Sequence, residues 1–211
     1  MNKKRIVCFG DSNTWGANSY TGGRFDDDER WTYHLGQALG SDYSIVEEGL
    51  CGRTINFEDP LNEGLSGLSV IHPILMSHSP LDTLVIMLGT NDCKERFSAN
   101  SQNIADALKR MIKKVKTIDC FISETKILII APIYIAEGVY SVKHTCDEMG
   151  KLCVEKSREL PRLMKEIALA EGCLFLDCNE TVKPNDVDYM HFDKESSKPF
   201  AAAVAKKLLE F

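Results

Sequence analysis

The sequence of 211 residues lacks several features that would place it in particular classes of protein. It has no apolar run as long as a transmembrane helix, so we expect no membrane partner. The basic segment 1–5 is followed by only five residues that could form an apolar core before Asp11, which is too short for a secretory signal. We therefore expect a cytoplasmic location.

Charge of one sign is not concentrated anywhere except in one short acidic run at 26–29. The formal net charge of -6 is otherwise spread among residues of both signs, and no basic stripe or arm occurs. Proteins that bind nucleic acid carry such a basic surface. We therefore expect no nucleic-acid partner and a small molecule as the ligand.

Metal-ligand and dinucleotide motifs are also missing. The eight cysteines form no Cys-x-x-Cys pair, and Cys8 and Cys173 lie in apolar runs, so free thiols are expected rather than disulfides. Four histidines lie apart, without ligand spacing: His34, His72, His78 and His144. The early glycines do not form Gly-x-Gly-x-x-Gly: Gly10, Gly16, Gly22 and Gly23. We expect no metal and no cofactor.

Five short apolar runs are rich in β-branched residues: 5–9, 43–46, 84–88, 127–130 and 174–176. They do not alternate with polar residues, which is typical of strands buried on both faces. Between them lie helical patterns, the clearest with an apolar stripe from Ile104 to Ile118. The alternation predicts an α/β fold, a three-layer α/β/α (flavodoxin-like) sandwich with a five-stranded parallel sheet, in one domain over 1–211.

Two further expectations concern the second half of the fold and the loops. A second helix is predicted over roughly 148–170, with a break or kink at Pro161. The stretches 57–69 and 132–150 are irregular in pattern, and long loops at a strand-end edge usually shape a pocket or a subunit contact.

Polar residues after predicted strands and near the C-terminus contain the parts of a serine esterase. Ser12 offers a hydroxyl that could attack an ester carbonyl. His191 could take its proton, and Asp188, three residues earlier, could hold the imidazole in one tautomer. Asn91 offers an amide donor for the oxyanion. Since sites in such sheets lie at the carboxyl ends of the strands, we expect these groups to converge there.

Each of these residues also has a purely structural alternative. Ser12 or Asp11 could cap a helix after an ordinary strand-to-helix turn. Asn91 could be a turn residue, and Asp188 and His191 could form a surface pair. Their occurrence together and in this order favours the esterase interpretation.

The motifs as a set resemble the SGNH (GDSL-type) hydrolase family. The Gly-x-Ser-x-Gly elbow of α/β-hydrolases is absent, because Thr14 stands where it needs Gly. The four SGNH blocks are matched at 9–16, 48–54, 89–92 and 188–191. Further similarity at 29–32, 45–54, 79–82 and 86–92 narrows the resemblance to the mycobacterial-type arylesterase/acyltransferase branch. Two departures are Asn13, where Leu is usual, and Glu47, where Asn is frequent.

The resemblance implies a role for each matched residue. Ser12 would be the nucleophile, His191 the general base and then acid, and Asp188 the residue that orients it. The oxyanion hole would consist of the Ser12 and Gly52 backbone N–H groups and the Asn91 side chain. Branch members tend to form homo-oligomers whose loops narrow the entrance to the site.

The resulting functional expectation is a serine esterase for small, short-acyl carboxylic esters, with acyl transfer to an alcohol or peroxide left open. Trp15 could line the acyl pocket or simply pack the first helical turn. Arg53 could contact substrate or form an ion pair with the acidic loop. The alternatives are an O-deacetylase for carbohydrates and, from a different class, a non-catalytic flavodoxin-like binding module.

Overall fold

The computed structural model describes residues 3–211. In chain order the elements are β1 (Lys4–Gly10), α1 (Ser12–Trp15), β2 (Ala17–Asn18), β3 (Gly23–Arg24), α2 (Trp31–Leu39), β4 (Tyr43–Gly49), α3 (Gly67–Ser77), β5 (Thr83–Met87), α4 (Ser101–Val115), β6 (Ile127–Ala131), α5 (Lys143–Met149), α6 (Cys153–Ala170), β7 (Leu174–Asp177) and α7 (Lys194–Leu208). None of the helices in this described range is long and apolar enough to cross a bilayer.

Five strands form one parallel sheet in the order β4-β1-β5-β6-β7. Each of the five predicted strands is present, and the α/β fold class is confirmed. Strand β1 pairs with β4 from Lys4 opposite Tyr43 to Gly10 opposite Gly49. It also pairs with β5, so the loops after these three neighbouring strands emerge at one edge. Strands β2 and β3 form a separate small antiparallel hairpin, which the sequence did not predict.

Successive residues of each central strand face opposite layers of helices. Ile6 and Cys8 of β1 pack in a cluster with Trp31 of α2 and Phe200 of α7. Val7 and Phe9 pack on the other side, in a cluster that includes residues of α3, α4 and α6. Strands β5 and β6 are buried along their full length. Burial on both faces explains why these strands show no polar alternation in the sequence.

The predicted helix over 148–170 begins later and is interrupted elsewhere than expected. The helical structure is interrupted between α5 and α6, where Gly150 and Leu152 have φ of 68° and 62°. Helix α6 continues through Pro161. Proline removes one backbone hydrogen bond from a helix interior. Leu160 and Met164 are buried in the core cluster on this face of the sheet, and that packing holds α6 together across the missing bond.

The segment 132–150 contains more regular structure than expected, because α5 lies within it. The stretch 57–69 is irregular until α3 begins at Gly67. All eight cysteines are free thiols, as predicted, and six of them are buried. Cys51 is exposed and Cys146 is half-buried.

Candidate active site

Ser12 is the first residue of α1, directly beyond the carboxyl end of β1. Asp11 caps this helix, since its Oδ1 accepts a hydrogen bond of 3.0 Å from the backbone N–H of Asn13. The Ser12 hydroxyl is therefore not used as the cap. Helix α1 lies so close to β4 that a Cβ at Gly49 would come within 2.1 Å of the Trp15 nitrogen. Any side chain at Gly49 would therefore clash with the backbone of α1, and only glycine lets the turn that carries Ser12 pack against this edge of the sheet.

The three predicted catalytic side chains form one hydrogen-bonded chain. The distance between His191 Nε2 and Ser12 Oγ is 2.7 Å, and that between His191 Nδ1 and Asp188 Oδ2 is 2.6 Å. Burial alone would raise the pKa of Asp188, but hydrogen bonds from His191 and Ser19 outweigh it and hold this pKa well below its ordinary range. An ionised Asp188 favours the tautomer in which Nδ1 donates to the carboxylate and Nε2 accepts from Ser12.

The segment that carries Asp188 and His191 follows β7, at the far edge of the sheet from β4, and is tied back to α1 by Asn13. The Asn13 amide donates to the Met190 carbonyl at 3.3 Å, and its oxygen accepts from the Phe192 N–H at 3.3 Å. Both bonds flank His191. Asn13, which stands where leucine is usual in the family, thus holds the turn that carries His191 through two hydrogen bonds.

The predicted oxyanion donors lie at the ends of neighbouring strands. Asn91 follows β5, and its amide donates to the Arg53 carbonyl at 3.1 Å. Gly52, in the loop after β4, has φ of 84°, a conformation that favours glycine. Within residues 3–211, no acceptor pairs with the backbone N–H of Ser12 or of Gly52. Both groups are thus available to a ligand oxygen.

A cavity of about 430 Å³ surrounds Ser12 and is lined by Gly52, Asn91 and His191. Trp15 lines it, in agreement with one of its two predicted roles. A larger cavity of about 870 Å³ lies between α4 and α6, but its lining includes none of these groups. The smaller cavity is the candidate substrate site because it alone of the two holds the hydrogen-bonded chain.

Arg53 does not line this cavity, so the structure gives no support to its predicted contact with substrate. Its guanidinium is buried and donates to the carbonyl oxygens of Gly10, at 3.0 Å, and of Glu48. It also lies over the Phe9 ring, 4.3 Å from the ring centroid. Burial lowers the pKa of Arg53. Arg53 therefore joins the ends of β1 and β4 beneath the site, and no ion pair with the loop 26–29 is formed.

Glu47, the second departure from the family pattern, also has a structural role. Its carboxylate accepts hydrogen bonds from Arg24, Arg30 and Thr32. These donors belong to the β2–β3 hairpin and to the start of α2. Glu47 therefore anchors the base of the hairpin that closes one side of the cavity.

Several cavity residues could not be found from the sequence. The β2–β3 hairpin contributes Asn18 and Ser19, and α5 contributes His144 and Glu148. None belongs to one of the four blocks, and His144 carried no pattern beyond an isolated histidine. Of the two irregular stretches, 132–150 does shape the cavity, through α5, whereas 57–69 contributes no lining residue.

The fold and this site together have the arrangement expected of an α/β/α serine hydrolase. Residues 8–196 match the GDSL-like lipase/acylhydrolase family, and the chain belongs to that family. The SGNH resemblance is thereby confirmed. No curated protein sequence matches the chain significantly.

Solved structures of esterases are similar to the chain over almost its whole length. A carbohydrate acetylesterase from Sinorhizobium meliloti shares 31% identity, with a TM-score of 0.91 and 99% of each chain covered. The aryl esterase of M. smegmatis shares 32% identity, with a TM-score of 0.88 and coverage of 98% of this chain and 99% of that one. A putative arylesterase from Agrobacterium tumefaciens shares 28% identity, with a TM-score of 0.87 and the same coverage.

Proposed function

We propose that the protein is a serine esterase that hydrolyses small, short-acyl carboxylic esters with Ser12 as nucleophile. The observation that carries this proposal is the continuous hydrogen-bonded chain from Ser12 through His191 to Asp188, with contacts of 2.7 and 2.6 Å. A neutral imidazole that accepts from the serine hydroxyl is the arrangement required of a general base.

In the proposed acylation step, Ser12 Oγ attacks the ester carbonyl carbon while His191 Nε2 takes the hydroxyl proton. The carbonyl oxygen becomes an oxyanion, which the Ser12 N–H, the Gly52 N–H and the Asn91 amide stabilise. The tetrahedral intermediate collapses, the carbon–oxygen bond to the alcohol breaks, and His191 gives its proton to the leaving alkoxide. Asp188 stabilises the imidazolium in between.

In the second step the acyl group leaves Ser12. Water attacks the acyl-enzyme as His191 takes its proton, and the carboxylic acid is released as Ser12 regains a proton. An alcohol or a peroxide can replace water in the same geometry, and the acyl group is then transferred. We propose hydrolysis as the main reaction and acyl transfer as a competing one.

The test is Ser12→Ala, with kcat and KM measured on p-nitrophenyl acetate. Without the nucleophile the acyl-enzyme cannot form, so kcat should fall by several orders of magnitude. The matched control is Ser77→Ala, an exposed serine on α3, which should leave kcat unchanged. Near wild-type turnover in the Ser12 variant would refute the proposal. Covalent labelling of the wild type by an organophosphonate, with complete loss of that labelling in the Ser12 variant, would support the proposal. It would also exclude a non-catalytic binding module.

A second candidate substrate class is acetylated carbohydrates. The observation that favours it is Glu148, whose carboxylate lines the cavity and is held at 2.7 Å by the buried Lys94 ammonium. An ion-paired carboxylate has little net charge to attract a cation, yet it can accept hydrogen bonds from the hydroxyl groups of a polyol. The similar acetylesterase from Sinorhizobium meliloti adds support.

This candidate is tested by Glu148→Gln, which keeps an oxygen for Lys94 but weakens the acceptor. If carbohydrate esters are substrates, kcat/KM should fall for an acetylated sugar and stay constant for p-nitrophenyl acetate. Glu159→Gln is the control, because Glu159 is exposed on α6 and does not line this cavity. An equal change for both esters would argue against a hydroxyl-binding role of Glu148.

A further inference from the structure

Ser19 contacts the triad carboxylate from outside the turn that carries it. The Ser19 hydroxyl donates a hydrogen bond to Asp188 Oδ2, the same oxygen that accepts from His191 Nδ1. Ser19 lies in the loop of the β2–β3 hairpin, 169 residues away in sequence. It also lines the cavity beside Ser12.

The direction of this hydrogen bond is determined by Asn185. The Asn185 Nδ2 group donates to Ser19 Oγ at 3.1 Å. An amide NH₂ is a donor only, so the serine oxygen must accept from Asn185, and its single hydrogen is directed to Asp188. The other end of the Asn185 side chain accepts from the N–H groups of Val187 and Asp188, at 2.8 and 3.0 Å. Asn185 therefore fixes both the serine hydroxyl and the backbone at Asp188.

Among the donors to Asp188, Ser19 is the only one in residues 3–211 that does not belong to the same turn. Oδ1 accepts from the N–H groups of Met190 and His191, both at 3.1 Å. Oδ2 accepts from the His191 ring and from Ser19. A carboxylate has about four acceptor sites, so all of them are filled. The three local donors move with the turn, whereas Ser19 ties the carboxylate to the hairpin.

The hairpin itself is firmly attached to the element that bears the nucleophile. It follows α1 directly in the chain, and Phe25 N–H donates to the Gly16 carbonyl at 2.8 Å. Arg24 donates to the Trp15 carbonyl at 2.7 Å and lies over the Trp15 ring. A continuous path of contacts thus runs from Ser12 through the hairpin to Ser19 and on to Asp188.

From this geometry, and resting on the proposed function, we infer that Ser19 is a positioning residue of the active site. Its hydroxyl holds Asp188 in the rotamer that aligns His191 on Ser12, so the β2–β3 hairpin belongs to the catalytic machinery as well as to the cavity wall. A small misalignment of a proton acceptor lowers the rate of the chemical step without weakening substrate binding. We therefore expect loss of the Ser19 hydroxyl to lower kcat and to leave KM nearly unchanged.

The experiment compares Ser19→Ala, Ser19→Thr and Thr21→Val in the full chain, on p-nitrophenyl acetate. Ser19→Ala should lower kcat by about tenfold with KM within about twofold of wild type, because the ester does not need this hydroxyl to bind. Ser19→Thr keeps the hydroxyl and should restore most of the lost kcat. Thr21→Val is the matched control, since Thr21 lies in the same hairpin and contacts Gly23 rather than Asp188.

Thermal unfolding and the rate of organophosphonate labelling of Ser12 are measured for each variant. Slower labelling at an unchanged Tm in Ser19→Ala supports the inference, because the nucleophile is then less active in an intact fold. A kcat for Ser19→Ala within twofold of wild type overturns it. A loss of kcat/KM that comes entirely from a rise in KM also overturns it. A fall in kcat that Ser19→Thr does not restore overturns it as well. The proposed function fails separately, if Ser12→Ala stays active.

Discussion

The carbonyl oxygen of Arg53 accepts a hydrogen bond from the side-chain amide of Asn91, 3.1 Å away. This contact uses one of the two amide hydrogens and leaves the other for the cavity that Asn91 lines. Asp92, the next residue, accepts from the Ile55 N–H at 2.9 and 3.0 Å. Two successive side chains after β5 thus hold the segment 53–55, and the amide is oriented before any substrate arrives, which is what stabilises a developing oxyanion.

Replacement of Asn91 by Ala should lower kcat by roughly 10²–10³ with little change in KM, because the amide acts where charge develops in the transition state. Steady-state kinetics on p-nitrophenyl acetate provides the measurement. A loss found mainly in KM would instead make Asn91 a residue that binds the ground state.

Asn13→Leu restores the residue usual in the family and removes both hydrogen bonds that flank His191. The Met190 carbonyl and Phe192 N–H are then left without these partners, and each buried unpaired group costs about 1–3 kcal/mol. We expect a lower free energy of unfolding in urea and a fall in kcat of about tenfold from the less firmly held imidazole. Unchanged values of both would show that the turn is held by other contacts.

Arg53→Met should affect stability rather than substrate binding. Methionine keeps the apolar contact with Phe9 but removes the hydrogen bonds to Gly10 and Glu48, so the free energy of unfolding should drop by about 1–3 kcal/mol. KM for p-nitrophenyl acetate should not change, since Arg53 lies outside the cavity lining. An increase in KM at constant stability would return Arg53 to a role in substrate binding.

The pH dependence of stability should carry a contribution from Asp92. Burial raises the pKa of its carboxyl group to about 7. The pKa of an Asp in an unfolded chain is about 3.9, so from about pH 4 to pH 7 the folded state keeps a proton that the unfolded chain has lost. The free energy of unfolding therefore falls as pH rises through this window.

Asp92→Asn should remove this contribution while still offering Ile55 an acceptor oxygen. Urea unfolding at several pH values should show wild type losing stability relative to the variant from about pH 4 to pH 7. The exposed Asp106→Asn is the control and should run parallel to wild type. Parallel curves for Asp92→Asn as well would mean that its carboxyl group does not titrate in this range.

Acyl length provides a test of cavity size. In an open apolar groove, each buried methylene of the acyl chain adds about 0.8 kcal/mol of favourable binding free energy, so kcat/KM would rise steadily with chain length. The cavity of about 430 Å³ is bounded instead by the hairpin and α5. We expect acetyl and propionyl p-nitrophenyl esters to be the best substrates, with kcat/KM falling sharply by octanoyl. A preference for decanoyl esters would contradict the small-acyl proposal but not the role of Ser12.

A homo-oligomer remains a prediction from the arylesterase-branch resemblance. Gel filtration combined with light scattering should give a mass well above the 23.6 kDa of one chain. A mass of one chain at micromolar concentration would contradict it.

Much of the fold was determined by the sequence on its own. Strands buried on both faces must be apolar along their length, so five short runs without polar alternation predicted the parallel sheet, and its carboxyl edge predicted where Ser12 and Asn91 would meet. The hairpin 17–24 and helix α5 had no comparable signal. The hairpin strands are two residues each, and α5 is a short helix with few buried positions.

Tertiary structure alone decided how the site is completed. The turn 185–191 leaves the far edge of the sheet, and Asn13 and Ser19 bind it beside Ser12 across separations of 166 to 179 residues. Arg53 likewise lies beneath the site and not in it, because its guanidinium reaches backbone carbonyls at the ends of two strands. Local sequence pattern reports burial and chain direction, whereas such contacts depend on the packing of distant segments, which no local pattern encodes.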